Sequence, residues 1–144
     1  MQPRWLLAVD LDGTLLRKDK SIAPEDLAAI RAAPAHGIAV TIATGRLLTG
    51  TLPIARELGL TTPLVCADGG LMVEAETGVT LHRLAISVEH AQLALAAMVA
   101  HELVPYVLCA DAIHCESSGE CHRSYVDAWT KEIVTHVSLA GAAA

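Results

Sequence analysis

Trp5-Leu6-Leu7-Ala8-Val9-Asp10-Leu11-Asp12-Gly13-Thr14-Leu15-Leu16 is the stretch that decides the fold. Five apolar residues, Trp5 to Val9, stop at Asp10; one more apolar residue follows, then Asp12, Gly13 and Thr14. A short apolar run bounded by turn residues predicts a strand buried on both faces, as in a parallel sheet covered by helices. The carboxylates then stand at the carboxyl end of that strand, where open α/β sheets bind their ligands. Side chains at i and i+2 of an extended segment leave the same side of the backbone, so Asp10 and Asp12 can converge. Gly13 lets the chain turn away. Two carboxylates brought together repel and call for a shared proton or a cation. A hard divalent ion with oxygen ligands, Mg2+ foremost, meets that need. The bland alternative is an Asp-x-Asp-Gly turn that only ends a strand.

The bulk composition narrows the classes. A chain of 144 residues is one domain's worth and can bury a core. Residues are 53 % hydrophobic, yet no uncharged run reaches the roughly 18 that a membrane span needs. The strand begins within a few residues of Met1, which leaves no room for a secretory signal and makes the cytoplasm the expected location. A net charge of −6 provides no basic stripe for nucleic acid or an anionic membrane. Aromatics are 3 % of the chain, too few for base stacking. A small phosphorylated substrate is compatible with that charge, because it needs only local donors. Cys66, Cys109, Cys115 and Cys121 read as reduced thiols.

Leu15 to Ser21 reads as a polar, basic loop over the site. Ala23-Pro24-Glu25-Asp26 opens a helix, with proline in the first turn and acids at the positive end of the dipole; Pro34 and Gly37 end it. Ile38 to Ala43 is the second buried strand, and a strand-helix-strand unit implies a parallel pair. It ends in Thr44-Gly45-Arg46, where a hydroxyl and free backbone N–H groups suit an anion. A helix follows from Leu47 to Leu58, starting late or kinked at Pro53. Pro63 to Ala67 is a third short strand. Asp68-Gly69-Gly70 reads as a tight turn into Leu71 to Glu74, with Asp68 a turn former. Thr77-Gly78 turns the chain again into Val79 to Leu84.

Asp10-Leu11-Asp12-Gly13-Thr14-Leu15, directly after an apolar strand, resembles the first motif of the haloacid dehalogenase superfamily. Thr41-Ile42-Ala43-Thr44-Gly45-Arg46 resembles the second motif of its Cof-type (HAD-IIB) phosphatase branch. The resemblance implies a Rossmann-like α/β core and a hydrolase that cleaves phosphate esters through an aspartyl-phosphate. By that likeness Asp10 is the nucleophile. Asp12 protonates the leaving oxygen and then activates water. Mg2+ is held by Asp10 and Asp12, the latter through its backbone carbonyl, and Gly13, Thr44, Gly45 and Arg46 hold the transferring phosphate. A sugar phosphate is the implied substrate. Where the branch usually has Asn-Gly, this chain has Asp68-Gly69.

From Ile86 the pattern changes, so residues 1–85 are expected to form the core and 86–144 part of an α/β cap like the one Cof-type enzymes place over the phosphate site. Ser87 caps a helix carrying Ala91, Leu95 and Met98 on one face. Strands are expected at Val104 to Cys109, Ala112 to Cys115 and Ile133 to Leu139, with a helix near Ser124 to Trp129. His114-Cys115 with Cys121-His122 could hold Zn2+, but strand neighbours point to opposite faces, and ordinary cap residues are the competing reading. His36, His82, His90, His101 and His136 read as surface. The family also uses a lysine beside the nucleophile and a later acidic pair, and this sequence matches neither. Lys131 falls in the cap, and Lys18 and Lys20 lie in the loop after the first motif. The likeness thus covers the front half of the family's architecture, with an exposed sheet edge. A piece of a longer phosphatase is the expectation; a short homologue completed by homo-oligomerisation, or a binding relic without catalysis, are the alternatives.

Overall fold

The computed structural model describes residues 3–139. Strand β1 (Trp5–Val9) leads through the first motif and helix α1 (Pro24–Ala32) to β2 (Ile38–Ile42), and the two strands pair in parallel from Trp5 opposite Ile38 to Val9 opposite Ile42. Helix α2 (Leu48–Leu58) then carries the chain to β3 (Leu64–Cys66), which adds beside β2 through a parallel bridge from Ala43 to Val65. Hairpins join β3 to β4 (Leu71–Val73) and β4 to β5 (Thr80–Arg83), both antiparallel. Helix α3 (Val88–Ala100) precedes a second sheet of β6 (Tyr106–Leu108), β7 (Ile113–Glu116) and β8 (Ile133–His136), with the short helix α4 (Arg123–Val126) between its last two strands. This is the mixed α/β, Rossmann-like architecture expected, with the carboxyl ends of β1 and β2 side by side.

Local chemistry explains the boundaries. Pro24 sits in the first turn of α1 with Glu25 and Asp26, and Gly37 leaves the following 3-10 turn at φ 74°, a conformation that costs glycine little. Ser87 accepts a hydrogen bond from the His90 N–H, the expected cap of α3. Helix α2 starts at Leu48 and runs through Pro53, which stands at its middle, without ending there. Of the predicted apolar face of α3, Leu95 is buried, while Ala91 and Met98 are half-buried.

The core forms beneath the first motif. Leu11 is wholly buried, with Leu15 and Leu16, against Ile30 of α1, Ile42 of β2 and Leu58 of α2. Leu11 points into this core, while Asp10 is exposed and Asp12 half-buried. Burying a leucine side chain contributes roughly 2 kcal/mol, so this one residue anchors the turn that presents both acids. A second cluster, Leu47 with Ile113 and Val126, joins α2 to the second sheet.

One expectation fails. Strand β1 is not buried on both faces: Trp5 is 72 % and Leu6 68 % exposed. Among the described residues β1 pairs only with β2, so its other edge is open and its apolar side chains face solvent.

Candidate active site

Asp10, Ala43, Thr44, Gly45, Val65, Asp68 and Gly69 line a cavity of about 430 Å3 at the carboxyl ends of the parallel strands. Asp10 stands at its edge, and Oδ2 of its carboxylate accepts a hydrogen bond from the Thr14 hydroxyl at 3.1 Å. The turn that places Thr14 is closed by Thr14 N–H to Leu11 O and Leu16 N–H to Leu11 O, with Gly13 at φ 76°. Thr44 is buried, and its hydroxyl accepts from the Arg46 N–H at 3.3 Å, which holds the Thr44-Gly45-Arg46 loop in shape. The Gly45 N–H makes no hydrogen bond among the described residues and is available to an anion. The Leu47 N–H is not: it donates to Trp129 O at 2.8 Å, so a turn of the second sheet covers the start of α2.

Asp12 is differently placed. Arg46, only 7 % exposed, grips its carboxylate in a fork, Nε to Oδ2 at 2.6 Å and Nη2 to Oδ1 at 2.7 Å, and Lys20 Nζ donates to Oδ1 at 2.9 Å. The Arg46 guanidinium, helped by Lys20 and opposed by partial burial, holds the Asp12 carboxyl at about 2. Charge-assisted, bidentate contacts of this kind are the strong ones. Arg46, expected at the phosphate, is therefore turned to the aspartate, while Thr44 and Gly45 line the cavity. Sequence spacing put Asp10 and Asp12 in one volume, but Asp12 lies beyond the end of β1, where the two-residue alternation no longer sets direction.

Lys20 was missed as a site residue. The loop from Arg17 to Ser21 closes on itself by Arg17 N–H to Ser21 O and Lys20 N–H to Arg17 O, and Asp19 receives both the N–H and the hydroxyl of Ser21. That Asp-x-Ser pattern is a recognisable side-chain turn signal, and it folds Lys20 back over Asp12. Asp68 was read only as a turn former; it does form the turn, at φ 52°, but it also lines the cavity.

The zinc grouping does not assemble. His114 is half-buried and Cys115 fully buried on the opposite face of β7, and among the described residues no three His, Cys, Asp or Glu side chains stand close enough to hold a metal. His114 Nδ1 instead meets His136 Nε2 at 2.8 Å across β7 and β8, so His136 is half-buried rather than a surface residue.

A carboxylate at the end of one parallel strand, a threonine-glycine loop at the end of the next and a small sheet beyond them make up the site. Residues 7–137 match the model of the haloacid dehalogenase-like hydrolases, and the chain belongs to that family. It resembles the Bacillus subtilis 5-amino-6-(5-phospho-D-ribitylamino)uracil phosphatase YcsE, 34 % identical over 88 residues that make up 61 % of this chain and 35 % of the relative. The Escherichia coli pyridoxal phosphate phosphatase YbhA is 38 % identical over 64 residues, 44 % of this chain and 24 % of the relative. Within the family the chain falls in the Cof-type, IIB branch. A sugar phosphatase of HAD subclass IIB superposes with a TM-score of 0.75 at 25 % identity, over 96 % of this chain and 54 % of that structure. A haloacid dehalogenase-like hydrolase from B. subtilis superposes at 0.68 with 31 % identity, over 76 % and 38 %. The chain thus spans about a quarter to a third of these curated relatives and up to about half of these structures. Among the described residues, no helix is long and apolar enough to cross a membrane.

Proposed function

We propose that this chain carries the nucleophile half of a Mg2+-dependent phosphatase that hydrolyses a small phosphorylated metabolite, a sugar phosphate by analogy with its IIB neighbour, through an aspartyl-phosphate on Asp10. The observation that carries the reading is that Asp10 lines one cavity together with Thr44 and Gly45. Thr14 fixes one Asp10 oxygen and leaves the other to attack phosphorus. The phosphorus–oxygen bond to the leaving group breaks as the Asp10–phosphorus bond forms, and water then cleaves the acyl phosphate. The Gly45 N–H and the Thr44 hydroxyl receive phosphoryl oxygens.

The Asp10 oxygen that Thr14 holds and the Asp12 backbone carbonyl are hard donors of the kind that suits Mg2+, and by the family likeness they would hold it. When bound there, the ion would offset charge on the phosphoryl group. Asp12 serves as acid and then base in this reading. Arg46 holds both oxygens of the Asp12 carboxylate, so turnover requires the Arg46 fork to pass from Asp12 to the incoming phosphate. Residues 1–85 act as the core and 86–144 as part of a cap. Four free thiols fit a reducing compartment such as the cytoplasm.

A second reading, a relic that binds a phospho-ligand or a partner chain without catalysis, draws support from the locked state of Asp12 and from the open edge of β1. Hydrolysis of an aryl phosphate by the purified chain, with and without Mg2+ and beside Asp10→Asn, separates the two. Metal-dependent turnover lost in the variant supports the enzyme. Phosphate binding with no turnover in either protein supports the relic.

A further inference from the structure

Asp12 has two cationic partners, and they are of unequal kind. Buried Arg46 takes both carboxylate oxygens, Nε on Oδ2 at 2.6 Å and Nη2 on Oδ1 at 2.7 Å. Lys20, whose side chain is 57 % exposed, adds Nζ to Oδ1 at 2.9 Å, an oxygen the guanidinium already holds. Two cations on one oxygen repel each other, so while the fork is in place the lysine is redundant and loosens it. The chain nevertheless accepts backbone strain to set Lys20 there: its φ is 67°, a left-handed conformation that costs energy in any residue with a Cβ. The Lys20 N–H donates to Arg17 O and the Arg17 N–H to Ser21 O, each at 2.9 Å, which holds the turn. Buried Leu15 and Leu16, with an antiparallel bridge from Leu16 to Ile22, fix the base of the loop in the core.

In the reading proposed above, the Arg46 fork passes from Asp12 to the incoming phosphate. That step takes the main cation from a half-buried carboxylate, and the contact that stays with it is Lys20. Resting on that reading, we infer that Lys20 is a positioning residue: it keeps hold of Asp12 when the fork leaves, and so favours phosphate binding without touching the phosphate. Its charge acts at both ends of the step. With the fork in place, it competes for Oδ1 and pushes against the guanidinium; with the fork gone, it offsets the bare carboxylate. This task differs from that of a lysine beside the nucleophile, because among the described residues the only ion pair of Lys20 is with Asp12.

The test titrates inorganic phosphate into the full 144-residue chain with Mg2+ present. Affinity is read from amide NMR shifts at Gly45 and Thr44, and the Arg46 Nε–H signal is followed in the same titration, so no turnover is needed. One unit charge at about 4 Å under water-like screening is worth about fivefold, so Lys20→Met should weaken phosphate by about that factor. Lys20→Arg should restore affinity to within about twofold of the wild type, since it keeps the charge. In an Arg46→Ala background, titrated to higher phosphate, there is no fork to release, and Lys20→Met should change affinity by less than about twofold. The Arg46 Nε–H should shift as phosphate is added to the wild type. An equal loss in both backgrounds, which would mean that Lys20 attracts phosphate by charge alone, overturns the role of Lys20, as does no loss in either. Shifts at Gly45 and Thr44 without one at Arg46 would show that the fork stays on Asp12, and overturn that role while the phosphate site stands. No shift at Gly45 or Thr44 overturns the phosphate site itself, and this inference with it.

Discussion

Removing either partner of the Arg46–Asp12 pair should have unequal effects, and the inequality follows from burial. Arg46 is 7 % exposed and Asp12 34 %. Between 3.8 and about 2, the Asp12 carboxyl gains the equivalent of about 2.4 kcal/mol from its native partners, at roughly 1.36 kcal/mol per decade. A side chain one-third exposed is screened by water, which brings the net value down to about 1 kcal/mol. Arg46→Ala should therefore cost about 1 kcal/mol, since Asp12 keeps Lys20 and solvent. Asp12→Asn leaves a buried guanidinium without its anion and should cost more, about 3 kcal/mol. The pH dependence has a definite sign. The native carboxyl sits below its unfolded value of about 3.9, so the unfolded state binds more protons in between. The stabilisation is complete above about pH 5 and is lost as pH falls from about 4 toward 2. Urea unfolding of wild type and both variants at pH 7, 4 and 2.5 reads all of this. Equal costs for the two variants, or a gap between wild type and Asp12→Asn as wide at pH 2.5 as at pH 7, would refute the account of a buried arginine sustaining an ionised aspartate.

Other outcomes can be checked with small experiments. Leu11→Ala should lose about 2–5 kcal/mol of stability in urea melts, because the leucine is fully buried beneath both acids; a loss below 1 kcal/mol would contradict its role as anchor. Gly50→Ala should destabilise the protein by about 1–3 kcal/mol and expose the Leu47 amide to hydrogen exchange, since a Cβ at Gly50 would lie 2.5 Å from Trp129 O. Retained protection at Leu47 would mean that the turn carrying Trp129 moves aside at little cost. Thiol labelling should reach exposed Cys121 first and leave Cys66 and Cys115 until unfolding; burial also raises the Cys66 thiol pKa, against a smaller opposing effect from Thr51. The purified 144-residue chain should self-associate through the open, apolar edge of β1, and Leu6→Lys should return it to monomer by light scattering.

Much of this protein is legible from local patterns. The alternation Asp10-Leu11-Asp12, the turn glycine at 13, the proline at 24 and the serine at 87 each act over a few residues, so the strands, helix starts and family motifs can be read without tertiary knowledge. The conversion of apolar runs to burial could not be read that way. Whether Trp5 to Leu7 are covered depends on what lies across an open sheet edge, and the same five apolar residues would read identically with or without a neighbour.

Charge partners and side-chain direction belong to the tertiary structure alone. Arg46 stands 34 positions from Asp12, yet the parallel pairing of β1 with β2 sets their loops side by side, and Coulomb attraction in a partly buried site turns the arginine to the aspartate. Lys20 reaches the same carboxylate because a five-residue loop folds back on its own hydrogen bonds. Asp68 enters the cavity because two left-handed residues aim it there. Sequence by itself determined which residue types meet at the carboxyl end of the sheet, since pattern and turn chemistry are local. Only the folded chain decided which of them face the cavity and which neutralise one another, since that choice rests on distances between segments far apart in sequence.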